Sequence, residues 1–129
     1  MDKVVHFEIP MEDEERAVKF YKEIFGWKID KTETMPYWFV KTTECDENNM
    51  PKETGFINGG LMKRDADQDP SGVKPVIVIK VEDLDEHLKK IEEAGGKVVM
   101  PAIAVGDMGR YARVEDTENN VIGIWQDSK

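Results

Sequence analysis

Apolar and polar positions along the chain fall into two similar successions. Val4 to Ile9 and Val76 to Val81 are short apolar runs rich in β-branched residues, and they predict strands. Each run leads to an aspartate, Asp13 or Asp83, with acidic neighbours. An aspartate so placed accepts backbone N–H bonds at a helix start, and the neighbouring carboxylates suit the positive end of the helix dipole. Apolar residues then recur at helical spacing, first at Ala17, Phe20, Tyr21 and Ile24, later at Leu84, Leu88, Ile91 and Ala94. Gly26 stops the first helix, and Gly95 with Gly96 stops the second. Further strands are expected at about Trp27–Asp30, Tyr37–Thr43 and Gly55–Met62, then at about Lys97–Met100, Arg110–Glu115 and Val121–Gln126. The turn from Asp116 to Asn120 has hairpin chemistry, because asparagine tolerates positive φ. Glu44–Thr54 is polar and reads as an exposed loop.

The two successions form an imperfect internal repeat. His6 falls on Val76, Asp13 on Asp83, Lys19 on Lys89, Glu23 on Glu93 and Gly26 on Gly96, a constant offset of 70 residues. The pattern is βαβββ, twice, and the fold class expected is α+β. Unit one spans about 3–62 and unit two about 75–127, within a single domain. The linker, about 63–74, carries Pro70, Gly72 and several charges.

A chain of 129 residues can bury a core without disulfides. Its 18 Lys and Arg against 27 Asp and Glu give a net charge of −9. That balance argues against nucleic acid and against an anionic membrane surface. No apolar run is long enough to span a bilayer, and the opening MDKVVHFEIP lacks the apolar core of a secretory signal. Cys45 is the one cysteine, which excludes an internal disulfide framework and a cysteine-based zinc site. A cytoplasmic protein is expected.

Several stretches together resemble one family. They are the start V-H-F-E-I-P, the helix end F-Y-K-E-I-F-G-W, the segment N-G-G-L-M, and the close D-T-E-N-N-V-I-G-I-W-Q. Over about residues 3–127 the chain resembles the vicinal oxygen chelate superfamily, the group of glyoxalase I, bleomycin-resistance proteins and extradiol dioxygenases. The resemblance implies that each unit curls its sheet into half a barrel. Two units, from one chain or a dimer, would form a half-open barrel around a cavity. In metal-dependent members, His and Glu from the first and last strands of each unit hold a divalent ion. The ion chelates two adjacent substrate oxygens and acts as a Lewis acid.

Carried onto this sequence, the four ligand positions fall on His6, on Val76, on or beside Gly60, and on Gly123. Three of the four have no coordinating side chain, whereas a catalytic site needs about three protein ligands. No metal cofactor is therefore expected, and a divalent ion held in an atypical way is the disfavoured alternative. Strand alternation places His6 on the face of Glu8, so the two are candidates for an acid/base pair, or for a polar pair without chemistry. The expected cavity lining is Trp38, Asn58, Gly60, Met62, Val76, Tyr111, Gly123 and Trp125. Of Tyr37, Trp38 and Phe39, one alternate set faces inward. The bland alternatives are core packing for the aromatics and bends for the glycines. Arg110, beside a loop from Gly106 to Gly109, could close over an anionic ligand or stay at the surface. His87 reads as a boundary residue of the second helix. The carboxylates flanking Cys45 oppose a nucleophilic role.

Two functions compete on these residues. One is a binding protein that sequesters a small, partly apolar ligand in the barrel cavity. The other is a glyoxalase-like lyase or isomerase using His6 and Glu8. A third role, assembly, follows from sheet edges that a partner can cover, and a homodimer is expected.

Overall fold

The computed structural model describes residues 1–65, 67 and 72–128. The chain divides into two compact units. One is His6–Pro75, and the other joins Met1–Val5 to Val76–Lys129. The two units thus separate within the first strand. Pro70, in the expected linker, lies outside the described residues.

The His6–Pro75 unit takes in β1 (Lys3–Met11) from His6 onward, α1 (Glu14–Phe25), β2 (Lys28–Lys31), β3 (Tyr37–Lys41) and β4 (Asn58–Lys63). Its strand order is β2-β3-β4-β1. β1 and β4 run parallel and the other pairs antiparallel. The second unit contains β5 (Val76–Lys80), α2 (Leu84–Glu93), β6 (Lys97–Val105), β7 (Gly109–Glu115) and β8 (Val121–Asp127). Its order is β6-β7-β8-β5, with β5 and β8 parallel. Each unit is therefore βαβββ with the same strand order, and the fold is α+β. Each four-stranded sheet is open and does not close on itself.

Both helices begin as the sequence predicts. Asp13 accepts from the Arg16 N–H at 3.0 Å, and Asp83 accepts from the Glu86 N–H at 3.0 Å. Gly26 takes the left-handed conformation, φ 70°, that ends α1. The α2 start is further tied down by the Gln126 side chain, whose oxygen accepts from the Leu84 N–H at 2.8 Å. In the hairpin turn, Asn119 has φ 63°.

Each helix covers one face of its sheet. In the first unit Met11, Ile29, Trp38, Val40 and Leu61 are buried, with Phe7, Ile9, Ala17, Val18, Tyr21 and Trp27 packed around them. In the second, Val81, Leu84, Ala112, Val114 and Ile124 form the equivalent core. The stacked pair Tyr21–Trp27, with ring centroids 4.9 Å apart, closes the end of the first core. These are residues of the F-Y-K-E-I-F-G-W stretch, which owes its recognisable form to packing.

Two strand boundaries differ from expectation by three residues or more. β6 continues past Pro101 to Val105, with register shifts between Val98 and Ile103. It pairs only with β7, and an outer strand tolerates proline because its missing N–H faces away from the ladder. Gly55–Ile57 precedes the strand rather than joining it. Gly55 has φ 90°, incompatible with an extended ladder. No helix among the described residues is long and apolar enough to cross a membrane.

Candidate functional site

Strand alternation decides which side chains meet. On β1, Phe7, Ile9 and Met11 face α1, so His6, Glu8 and Pro10 occupy the opposite face. The register aligns His6 with Asn58, Glu8 with Gly60 and Pro10 with Met62. On β3, Trp38 and Val40 join the helix-covered core, leaving Tyr37 and Phe39 on the face of His6. Tyr37 is paired with Met62, and Phe39 with Gly60.

The helix-free face of this unit thus gathers His6, Glu8, Tyr37, Phe39, Asn58, Gly60 and Met62. The alternation expected for His6 with Glu8, and for Asn58 with Gly60, is the one observed. Trp38 is a correction. It is 5 % exposed inside the core, and its neighbour Tyr37 takes the place given to it. The signal was present in the run Tyr37–Trp38–Phe39, but choosing between its two alternate sets needed the register against β4.

His6 Nε2 lies 2.6 Å from the Tyr37 hydroxyl, with the rings nearly parallel at 16°. Tyr37 reaches this position by lying across Gly60. A Cβ on Gly60 would coincide with the Tyr37 hydroxyl and ring edge, so only glycine admits the phenol there. Phe39 meets the Tyr37 ring edge-on at 5.4 Å. Asn58 is turned toward the loop beyond β3. Its carbonyl oxygen accepts from the Thr42 N–H at 3.1 Å, and its amide donates to Cys45 Sγ at 3.2 Å. Asn58 and Cys45 therefore hold the Glu44–Thr54 loop rather than standing in an open pocket.

Burial pushes the His6 imidazole below its ordinary pKa of 6.5, partly offset by the Glu8 carboxylate two residues away. The ring is therefore neutral at pH 7. Nε2 and the Tyr37 hydroxyl share one hydrogen bond, in which Nε2 accepts when the ring proton is on Nδ1 and donates when it is on Nε2. Glu8 is 7 % exposed, and among the described residues no buried side-chain nitrogen or oxygen lacks a hydrogen-bond partner.

The depressed value fixes a pH dependence. In the unfolded chain His6 takes up its proton near pH 6.5, whereas in the folded chain it does so only at lower pH. Between those two values the unfolded state binds more protons, so stability falls as the pH falls through that window. Above the unfolded value His6 contributes no slope. Melting curves of wild type and His6→Gln between pH 7.5 and about 4.5 should therefore converge in acid. Parallel curves would contradict the buried, neutral ring.

The second unit repeats the device. Tyr111 lies across Gly123, whose Cβ would stand 2.6 Å from the Tyr111 hydroxyl. Tyr111 is paired with Trp125, as Tyr37 is with Met62, so each tyrosine sits diagonally over its glycine. The polar surroundings differ. Arg113 Nε donates to the Tyr111 hydroxyl at 3.0 Å, with the guanidinium 5.8 Å from the ring centroid. Gly123 is aligned with Val78 where Gly60 is aligned with Glu8. Val76 and Val78 are buried. Trp125 donates its indole N–H to Asp127 at 2.6 Å, and its ring approaches Gly109.

Other candidates are engaged elsewhere. Arg110 makes a bidentate pair with Asp85 of α2 at 2.9 and 3.1 Å. That pair holds the Asp85 carboxyl below its usual range. Arg110 also borders a shallow groove of about 550 Å³ with Gly106, Asp107, Gln126 and Asp127. His87 bridges the Asp83 carbonyl and the Asp2 carboxylate, each at 3.0 Å. Among the described residues no three His, Cys, Asp or Glu side chains gather as metal ligands would.

Residues 3–124 match the family model described as the glyoxalase/bleomycin resistance protein/dioxygenase superfamily. The chain belongs to this superfamily. "Putative glyoxylase CFP32" of Mycobacterium tuberculosis is 30 % identical over 124 residues, covering 88 % of this chain and 41 % of that protein. The chain thus spans about two fifths of the length of that relative. A "Glyoxylase-like domain-containing protein" of Didymella fabae is 31 % identical over 120 residues, covering 91 % of this chain and 88 % of that one. Among solved structures, methylmalonyl-CoA epimerase from Mycobacterium tuberculosis superposes with a TM-score of 0.65 at 15 % identity, covering 98 % and 88 % of the two chains. At that identity the superposition speaks for the shared fold alone. The resemblance assigns the superfamily's ligand positions to His6, to Val76, to a residue on or beside Gly60, and to Gly123; Gly60 and Gly123 each lie beneath a tyrosine hydroxyl.

Proposed function

We propose that this superfamily member binds a small, partly apolar molecule without a resident divalent metal. The observation that carries the reading is the phenol laid over glycine in each unit, Tyr37 over Gly60 and Tyr111 over Gly123. A hydroxyl group stands where the superfamily's last-strand ligand would project. A neutral tyrosine is a poor substitute for a carboxylate as a ligand to a divalent ion. In the second unit the neighbouring Arg113 cation opposes one further. The residues present do not fit the superfamily's metal, and no step is routed through one. What the helix-free face of the first unit offers instead is aromatic and thioether surface, Phe39 and Met62, beside one oriented polar pair, His6–Tyr37. Apolar walls with a few placed polar groups are the usual make-up of a small-molecule site.

The test begins with metal. Untagged protein is incubated with Mn, Fe, Ni, Zn and Co, desalted, and measured by plasma mass spectrometry. Substoichiometric metal is expected. One ion per chain, lost in His6→Ala, would overturn the proposal. Metal-free protein is then melted against a small-molecule panel. A true ligand at 100 times its dissociation constant adds about 2.7 kcal/mol of apparent stability. Tyr37→Phe should weaken it about tenfold by removing one hydrogen-bonding group.

A second reading has its own observation. A neutral imidazole beside a buried carboxylate can move a proton, as an acid/base pair in a lyase or isomerase would. Relatives named glyoxylase give it a reaction class, and the epimerase that shares the fold supplies a substrate to try. Deuterium incorporation from solvent into methylmalonyl-CoA, abolished by Glu8→Gln in protein that stays folded, would put this reading first.

A further inference from the structure

The two repeat-related helices differ on their outer faces. On α1, Phe20, Ile24 and Phe25 are 52 %, 61 % and 57 % exposed. At the offset of the repeat, the corresponding residues are Lys90, Ala94 and Gly95, and α2 exposes no large apolar side chain. The same position in the same fold is therefore satisfied by a polar helix. Phe20 and Phe25 touch Tyr21 and Trp27 along one edge, but the βαβββ unit does not require the apolar surface that they and Ile24 leave exposed.

Charge points to what covers it. The chain carries −9, yet α1 is balanced, with Glu14, Glu15 and Glu23 against Arg16, Lys19 and Lys22. Arg16 and Glu23 are seven residues apart, two helical turns, and so lie on one flank of the Phe20–Ile24 stripe. When two such helices pack antiparallel about a two-fold axis near Phe20, Arg16 of each copy meets Glu23 of the other. The two Phe20 rings then meet at the centre, and Ile24 lies along the aliphatic stem of Arg16. The contact is self-complementary and closes at two copies.

We propose that the outer face of α1, centred on Phe20 and Ile24, pairs antiparallel with the same face of a second copy of this chain. One helix face is a small interface, so the dimer is a weak one, with a dissociation constant on the order of micromolar. This proposal is independent of the ligand reading, because it uses none of the residues on the helix-free face.

Sedimentation velocity across micromolar to millimolar protein tests it. The wild type should pass from the 14.8 kDa monomer to twice that mass as concentration rises. Arg16→Glu places like charges opposite one another and should raise the dissociation constant about tenfold or more. Adding Glu23→Arg restores the opposite-charge pairing and should recover most of the loss. Phe20→Ser should abolish the dimer, with circular dichroism confirming that the monomer is folded. A wild type that stays monomeric throughout overturns the proposal. So does a dimer that none of these exposed substitutions weakens, or one that the double exchange fails to rescue.

Discussion

Leu61→Ala is expected to lower the free energy of unfolding by about 2–5 kcal/mol, the range for truncating a fully buried leucine. Leu61 has no exposed surface and sits among Met11, Ile29, Trp38 and Val40, beneath α1. Its strand is held on both sides, by β1 and by β3, so the backbone has little freedom to collapse into the space left behind. A domain of ordinary stability, about 5–15 kcal/mol, would lose a large share of it. Urea titration should show a lower midpoint with an unchanged slope. Leu61 points to the helix side while its neighbours Gly60 and Met62 point to the other. The acid sensitivity of His6 should therefore persist in the folded variant. A midpoint shift worth under about 1 kcal/mol would mean that this side of β4 is not the close-packed core described here.

Gly109→Ala should cost about 3 kcal/mol, at the upper end for forcing extra atoms into a packed site. A Cβ at Gly109 would run into the Gln126 carbonyl oxygen and stand 2.6 Å from the Trp125 ring. The first obstacle is backbone, in the ladder that pairs Arg110 with Gln126 and Gly109 with Asp127. Relief therefore means opening the β7–β8 pairing at that end. A helpful contrast is Gly26→Ala. Nothing stands within 4 Å of a Cβ there, so its cost is only the left-handed backbone at φ 70°. Denaturation of both variants, with Trp125 fluorescence as a local reporter, separates steric from conformational cost. A Gly109→Ala protein with wild-type stability and unaltered tryptophan emission would show that the end of β7 yields freely.

The chain's architecture was legible because the repeat is written in local signals. Asp13 and Asp83 cap helices by short-range chemistry, and Gly26 ends one by its left-handed backbone. None of these depends on the rest of the fold. The faces of β1 and β4 were legible for the same reason, since alternation from a known start needs no tertiary information. Trp38 shows where that reasoning stops. A run of three aromatics offers two faces, and only its pairing with Leu61 against α1 selects one. The glycines illustrate another limit. Gly60 and Gly123 stand in the expected cavity lining, but each is covered from the adjacent antiparallel strand by a tyrosine two residues out of register. A diagonal contact of this kind depends on which strands are neighbours, which spacing along one strand does not encode. β6 ran past Pro101 because it is an outer strand, and being outermost is likewise a property of the sheet order.

The assignment of Met1–Val5 to the unit of Val76–Lys129 bears on the order of events at the ribosome. The His6–Pro75 unit is continuous in sequence and can begin to assemble as soon as its last strand has emerged. Met1–Val5 group instead with residues at least 71 positions later in the chain, where His87 holds the Asp2 carboxylate at 3.0 Å, and so wait for that part to be made. Contacts between residues so far apart close a long loop and are slow to form, so the strand Lys3–Met11 finds its partners later at its start than at its end.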